Sequence, residues 1–337
     1  MEQSEIEKLL YSGFLSGKRS KSPLLKETHI SWVILTRKYV YKIKKPLKYS
    51  FLDFSTLEKR KYFCEREVEL NKRLAGKMYI KVIPIFSNKG KFSFDKEDGE
   101  LIDYAVLMNR MDADKEMDKL LESGHVSEKL IQKLAERVAA FHQKAAVINT
   151  KFDPGDLKQK FNDLQTVEGF VSEYLGHTLA GAIPKAIEKS DRFLDNHKTY
   201  LEERSLRGFI RDVHGDLHSG NIFLYQEPVI FDCIEFNDSL RQIDVLDEIA
   251  FFCMDLEAFH RYDLSEIFYQ KYMEHFGIKE TRANRQLFNY YKSYRANVRA
   301  KVNALNALQA VDDEQHLKSK DEAEKYLKLL KSYLPEI

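Results

Sequence analysis

The feature that most restricts the fold is a change of sequence pattern near residue 111. Before it lie five short alternating or β-branched runs and one amphipathic helical pattern: 29–36 (HISWVILT), 39–45 (YVYKIKK), the helical 58–74, then 81–86, 91–94 and 101–108. A polar turn through Asp98 and Gly99 is expected before the last run. After residue 111 helical patterns prevail, starting at 128–145 and returning from 246 onward. The sequence therefore predicts a two-lobed α+β fold, with a small antiparallel sheet and one helix in residues 1–111 and a larger, mainly helical lobe in residues 112–337.

One passage interrupts the helical half of the chain. Residues 213–232 read VHGDLHSGNIFLYQEPVIFD, which predicts a loop, a strand, a tight turn and a second strand that ends at Asp232. The two strands form a hairpin, and Asn221 and Asp232 lie at its outer ends. We therefore expect these two side chains to lie close enough to share one metal ion.

The same passage carries side chains suited to phosphoryl transfer. That reaction needs a carboxylate to orient the attacking hydroxyl and oxygen ligands for the magnesium that bridges the phosphates. Asp216, Asn221 and Asp232 supply this set, and the H-x-D-x4-N spacing matches the catalytic loop of protein kinases. His214 is then a structural residue. A zinc site through His214 and His218 is the alternative, but it lacks a third ligand at a useful spacing.

The first lobe offers a lysine and a glutamate that complement this loop. Lys42 lies on the second predicted strand, on the same face as Val40, and Lys44 and Lys45 are further candidates. On the following helix, Glu67 is best placed to hold Lys42 near the phosphates of a nucleotide. The alternative is a plain surface ion pair, worth about 0–1 kcal/mol.

Several separated motifs resemble one known family. The runs YKIKKPLKYSFLDFSTLEKRKYFCEREVELNKRLA, HGDLHSGNIF and IFDCIEFND are similar to bacterial aminoglycoside phosphotransferase family enzymes, in the aminoglycoside phosphotransferase and choline kinase branch of the protein-kinase-like superfamily. The resemblance implies Asp216 as catalytic base, Asn221 and Asp232 as Mg²⁺ ligands, and Lys42 with Glu67 as a clamp on the phosphates.

The resemblance also suggests where the nucleotide base would bind. The stretch YAVLMNRMD resembles the strand that leads into the hinge, which places Met108 behind adenine and offers backbone groups from Asn109 to Met111. The chain departs from kinases before its first strand pair, where KETHIS (26–31) stands in place of G-x-G-x-x-G. The hydroxyls of Thr28 and Ser31 are the expected substitutes for the glycine-loop amides.

Composition limits the partners of the chain. The 54 Lys and Arg residues almost balance 53 Asp and Glu residues, so no global field favours nucleic acid or membrane. The sequence has no apolar run long enough to span a bilayer and no signal peptide at its N-terminus, and its three cysteines show no C-x-x-C spacing. These features predict a soluble cytoplasmic protein.

Local charge leaves the acceptor open. Residues 232–266 carry ten acids, which would suit a cationic substrate. Residues 281–311 carry six basic side chains and no acid, with Lys292, Arg295 and Arg299 on one helical face, which would suit an anion. We favour a third interpretation, in which the two segments pair with each other inside the second lobe.

The resulting hypothesis is a kinase that uses Mg²⁺ and ATP, or GTP, to phosphorylate a hydroxyl of a small molecule. One alternative is a catalytically idle nucleotide sensor that regulates a partner, suggested by the glycine-poor loop. Another is a Ser/Thr protein kinase, although no A-P-E-like segment follows Asp232.

Overall fold

The computed structural model of the protein describes residues 1–10, 23–94, 99–149 and 152–337. Its strands and helices follow in chain order: α1 (Gln3–Leu10), β1 (Leu24–Glu27), β2 (Ser31–Leu35), β3 (Tyr39–Lys44), β4 (Lys48–Tyr49), β5 (Leu52–Asp53), α2 (Leu57–Ala75), β6 (Tyr79–Asn88), β7 (Lys91–Ser93), β8 (Glu100–Asn109), α3 (Met117–Glu122), α4 (Glu128–Lys144), α5 (Pro154–Asn162), α6 (Glu168–Tyr174), α7 (His177–Ala180), α8 (Ala182–Asn196), α9 (Lys198–Leu206), β9 (Ile210–Asp212), β10 (Ile222–Phe223), β11 (Val229–Ile230), β12 (Gln242–Asp244), α10 (Val245–Ala258), α11 (Tyr262–Phe276), α12 (Arg282–Leu308) and α13 (Asp313–Tyr333).

The chain divides into two compact units, neither of which is a single stretch of sequence. One comprises Met1–Leu120 and Asn221–Leu240, and the other comprises Leu121–Gly220 and Arg241–Ile337. The division into lobes of residues 1–111 and 112–337 stays a prediction. In the part of the chain that the structure describes, no helix combines the length and apolar character required to cross a bilayer.

An antiparallel sheet forms the centre of the first unit. Its six strands lie in the order β1-β2-β3-β8-β6-β7. One face buries Trp32 and Ile34 against α1, and the other buries Val40 and Met108 against Val68 of α2. Because successive side chains on a strand point to opposite faces, Lys42 and Lys44 lie on the same face of β3 as Val40, toward α2.

Thr56 starts α2 as its N-cap. Its hydroxyl accepts a hydrogen bond from the Lys59 N–H at 3.3 Å, which satisfies one of the unpaired donors of the first turn. The helix then buries the side of its surface that carries Cys64, Glu67 and Val68. The capped start thus fixes the register that places Glu67 under the sheet.

The second unit is mainly helical, and α10 runs through its interior. Every residue of α10 is buried, including its acids Asp247, Glu248, Asp255 and Glu257. A short antiparallel pair, β9 with β12, leads the chain into and out of the loop at 213–220. A buried charge is costly unless it has a partner. The partners of these four acids therefore show which parts of the unit α10 binds.

The predicted strands at 29–36, 39–45, 81–86, 91–94 and 101–108 and the helices at 58–74 and 128–145 are confirmed, with ends that move by a few residues. The hairpin of β10 and β11 is also confirmed, with Ile222 paired to Ile230. The sequence interpretation missed α1, β1 and the β4–β5 pair. Asp98 of the expected turn and residues 11–22 of the N-terminal segment lie outside the described residues.

Candidate active site

Lys42 lies between two carboxylates of the first unit. Its Nζ is 2.9 Å from Glu67 Oε1 and 2.5 Å from Asp232 Oδ1. Burial alone would lower the pKa of Lys42, but the charges of Asp232 and Glu67 outweigh burial and raise it well above its ordinary value. The Asp232 side chain is 42% exposed, so the Lys42 amine stands where a buried ion pair meets solvent.

Lys44 repeats this arrangement deeper in the same unit. Its Nζ is 2.6 Å from Glu67 Oε2 and also pairs with Glu235, and its side chain is only 1% exposed. Burial would raise the pKa of Glu67, but the two lysines lower it to about 2. Burial dominates at Glu235, whose pKa is raised in spite of Lys44. Glu67 is therefore the stably ionised centre of the cluster.

Asp232 is held in an unusual backbone conformation. Its φ is 63°, one of three positive values among the described non-glycine residues. Its N–H donates to the Tyr79 hydroxyl at 3.3 Å, and the next N–H, of Cys233, donates to Asn71 Oδ1 at 2.9 Å. Left-handed backbone is costly for a residue with a Cβ and persists where neighbours enforce it, often at functional sites.

Asn221 stands next to Asp232 because of the hairpin. The Phe231 N–H donates to the Asn221 carbonyl at 3.0 Å, immediately before Asp232. Magnesium prefers oxygen ligands and is usually bound by one or two protein side chains together with water and phosphate oxygens. The carboxylate of Asp232 and the amide oxygen of Asn221 fit that pattern.

Among the described residues no group of three or more His, Cys, Asp or Glu side chains is arranged to hold a metal ion, so the zinc alternative has no ligand set there.

In the second unit, Asp216 lies on a tightly held loop. Gly215 precedes it with φ of 89°, and the Asp216 N–H donates to His214 Nδ1 at 3.3 Å, the bracing role expected of His214. His218 Nε2 is 3.5 Å from Asp216 Oδ2. Burial would raise the pKa of Asp216, but His218, His214 and Arg299 lower it below its ordinary value. The carboxylate is therefore ionised at neutral pH and 39% exposed.

Two acids of α10 hold both ends of this loop. Glu248 accepts the N–H groups of His214 at 3.0 Å and Gly215 at 2.5 Å, and Asp255 accepts the Ser219 N–H at 2.7 Å. His142 Nε2 lies 2.7 Å from the same Glu248 carboxylate. Sequence reasoning did not assign these roles. The available signal was the presence of acids in an otherwise apolar helix, where each needs a partner.

The residues expected around the nucleotide base have mixed environments. Met108 is buried and pairs with Val40 across β8 and β3. The N–H of Asn109 donates to the Met78 carbonyl at 2.8 Å, so this donor is already used within the unit. Met111 packs partly buried beside the cluster that contains Met108.

Thr28 and Ser31 form a closed turn before β2. The Thr28 hydroxyl donates to the Ser31 carbonyl at 3.0 Å and accepts from the Ser31 N–H at 2.9 Å. The Ser31 side chain is fully buried. Their proposed contact with phosphate stays a prediction, as do the roles of the other nominated residues.

The oppositely charged segments pair with each other where both lie in the second unit, that is, between residues 241–266 and residues 281–311. Arg295 Nε is 2.7 Å from Asp247 Oδ1, and Lys292 Nζ is 3.0 Å from Glu257 Oε1. For these pairs the favoured interpretation is confirmed. Asp244 also has a structural partner, because Arg204 binds both of its oxygens at 2.7 and 2.8 Å.

The class of fold follows from comparison with solved structures. A choline kinase from Cryptosporidium parvum Iowa II superposes with a TM-score of 0.57 at 12% identity, covering 99% of this chain and 95% of that one. The GDP and kanamycin complex of an APH(2″) aminoglycoside phosphotransferase gives 0.56 at 14% identity, covering 96% and 98%. The protein therefore has the protein-kinase-like fold, with an antiparallel-sheet unit and a mostly helical unit, as predicted.

Sequence comparison identifies relatives of the chain itself. Uncharacterised proteins of Mycobacterium tuberculosis and Mycobacterium bovis are 32% identical over 303 residues, which is 87% of this chain. The matched region spans 58% of the length of those relatives. No protein-family model matches the chain.

Proposed function

We propose that the protein is an ATP-dependent phosphotransferase that moves the γ-phosphoryl group to a hydroxyl of a small molecule. The observation that carries the proposal is the position of Lys42 Nζ, 2.9 Å from Glu67 and 2.5 Å from Asp232. In kinases, a strand lysine fixed by a helix glutamate binds the nucleotide phosphates, and an aspartate nearby binds Mg²⁺. GTP is the alternative donor, because a structural neighbour was solved with GDP.

In this proposal Asp216 orients the acceptor hydroxyl and takes its proton as the new O–P bond forms and the bond to the β-phosphate breaks. Its pKa, held below the ordinary value by His218, His214 and Arg299, keeps it ionised and able to accept. Lys42 leaves Asp232 to contact phosphate oxygens, while its ion pair with Glu67 keeps the amine in place. Asn221 and Asp232 would hold magnesium, which when bound neutralises charge on the phosphates.

Nucleotide binding would use the remaining nominated residues. Met108 would form the back of the adenine site, and Met111 together with the Asn109 carbonyl would present backbone groups to the base edge. Thr28 and Ser31 would approach the phosphates from the turn before β2. The balance of 54 basic and 53 acidic side chains leaves no global field that would favour nucleic acid or membrane as a partner. We propose that the protein is cytoplasmic.

The second candidate function is a nucleotide sensor without catalysis. The observation that favours it is the turn at 28–31, where Ser31 is buried and the Thr28 hydroxyl is engaged with Ser31 backbone groups. Such a turn offers phosphates fewer donors than a glycine-rich loop does.

A metabolite library incubated with Mg-ATP and the protein tests the proposal, with mass spectrometry detecting the gain of one phosphate. The matched control is Asp216→Asn, which keeps the shape of the side chain and removes the base. We expect turnover to fall by about 10³-fold in this variant. Calorimetry should show nucleotide affinity within about threefold of the original, because Asp216 contacts the acceptor rather than the nucleotide.

Two results would count against the proposal, one against catalysis and one against the role of Asp216. Tight Mg-ATP binding with no phosphorylated product from any acceptor would favour the sensor. Equal turnover by the original chain and Asp216→Asn would remove Asp216 from the mechanism.

A further inference from the structure

His218 is held through both nitrogens of its ring. Nδ1 accepts a hydrogen bond from the Gly220 N–H at 3.2 Å, and Nε2 lies 3.5 Å from Asp216 Oδ2. The ring also packs against Phe251 of α10, with 5.6 Å between ring centroids. Its side chain is 16% exposed, so the imidazole is largely enclosed.

Gly220 is shaped to this ring. A Cβ at position 220 would lie 2.9 Å from His218 Cε1, which is too close, and 3.2 Å from Nδ1, which is a tight contact. A side chain at position 220 would therefore push the His218 ring from its present place beside the Gly220 N–H. The histidine and the glycine two residues later form one unit within the loop.

This contact fixes which nitrogen carries a proton. Because Nδ1 accepts from Gly220, it is unprotonated in the neutral ring, and the proton lies on Nε2. In the charged ring both nitrogens are protonated. In either state Nε2–H points toward Asp216, so Nε2 has no lone pair with which to take a proton from that carboxylate.

We propose that His218 is a positioning residue for Asp216: the Nε2–H of His218 donates to Asp216 Oδ2 and holds the carboxylate in its orientation. The inference rests on the proposed role of Asp216 in phosphoryl transfer. His218 is not a proton relay, because the proton that Asp216 takes from the acceptor has no site on Nε2. The charged and titratable groups that face the pair are His214 on the loop, Asp255 on α10 and Arg299 on α12.

The tautomer can be tested without any enzymatic activity. The full chain labelled with ¹⁵N-histidine would be titrated by NMR without nucleotide, with the His218 signals assigned by their loss in His218→Asn. We expect Nε2 to be protonated throughout the titration. In Asp216→Asn the pKa of His218 should fall by about one unit, because its anionic partner is gone.

Two matched substitutions separate positioning from packing. Asn places its amide oxygen where Nδ1 lies and keeps the contact with Gly220, whereas Gln places its amide nitrogen near Nε2 and keeps the donor to Asp216. The readout is the slow hydrolysis of Mg-ATP, with water as acceptor. His218→Asn should lower kcat by about 10–100-fold and move the acid limb of the kcat/KM profile to higher pH, since Asp216 loses a donor that lowers its pKa. His218→Gln should recover most of the rate and the original limb.

The outcomes decide between the roles. Neutral His218 with its proton on Nδ1, or an unchanged His218 pKa in Asp216→Asn, would overturn the proposal whether or not the protein is a kinase. Equal losses in the Asn and Gln variants with an unmoved acid limb would show that the ring only fills space.

Discussion

At the scale of single residues, two lysines on one strand have different surroundings although they share Glu67. Lys42 is 12% exposed and contacts the half-exposed Asp232, whereas Lys44 is 1% exposed and contacts the buried Glu235. An amine that is to reach a ligand needs a path to it, and an amine enclosed by two carboxylates serves the fold. We infer that Lys42 is the ligand-binding lysine and Lys44 a structural one.

Methionine substitutions at the two positions should therefore separate binding from stability. Lys44→Met leaves Glu235 without its partner, and we expect a loss of about 3 kcal/mol in the free energy of unfolding, followed by Trp32 fluorescence in urea. Lys42→Met should cost about 1 kcal/mol, since Asp232 reaches water and Glu67 retains Lys44. Its ATP affinity, measured by calorimetry, should fall at least about 30-fold. The reverse pattern would exchange the two roles.

The contact between Lys42 and Glu67 was predictable, but the position of Glu235 was not. A strand, a proline and a helix in sequence place a lysine and a glutamate within reach, because strand and helix periodicities fix which residues share a face. Glu235 reaches Lys44 only through the path of the chain after Asp232, which begins with φ of 63°. Nothing in local propensity predicts a left-handed aspartate at that point.

At the scale of elements, two acids of α10 hold the loop that carries Asp216. The helix is long enough for Glu248 and Asp255, seven residues apart, to lie on one face two turns apart. That spacing matches the two ends of the loop, which supply N–H groups of His214 and Gly215 at one end and Ser219 at the other. The loop geometry thus depends on a buried helix rather than on the loop residues alone.

Glu248→Gln should test this dependence. Burial would raise the pKa of Glu248, but bonds from His142 and the His214 N–H lower it below its ordinary value of 4.5. A carboxylate whose pKa is lower in the folded than in the unfolded protein stabilises the fold at pH values above its unfolded pKa. This contribution is lost as the pH falls through the folded pKa. We expect the variant to be about 3 kcal/mol less stable at pH 7, and the difference to shrink below about pH 4.5.

Urea denaturation at a series of pH values measures this effect, and Asp263→Asn is a suitable control because Asp263 forms a partly exposed pair with Arg261. A stability difference that stays constant from pH 7 to pH 3 would show that Glu248 acts through shape and not through charge.

At the scale of the whole molecule, the strands β2, β3, β6, β7 and β8 and the helix α2 were readable from the sequence, whereas the division into units was not. The strands of the sheet and α2 have strong periodicities, so their existence follows from residues 29–109. The membership of Asn221–Leu240 in the first unit depends on contacts far apart in sequence. Phe223, for example, packs in the cluster of Val40, Val68 and Met108.

A pair of core substitutions in the full chain should show that Asn221–Leu240 belongs to the first unit. Trp32 is the only tryptophan and is buried in the first unit, so its fluorescence reports that unit, while far-UV circular dichroism is dominated by the helices of the second. Phe223→Ala should lower the stability reported by Trp32 by about 3 kcal/mol although it lies nearly two hundred residues away in sequence. Phe161→Ala, in the aromatic cluster with Tyr290 and Tyr294, should instead lower the transition seen by circular dichroism. If each variant shifted both probes equally, the two units would unfold as one, and Asn221–Leu240 could not be assigned to the first unit by stability.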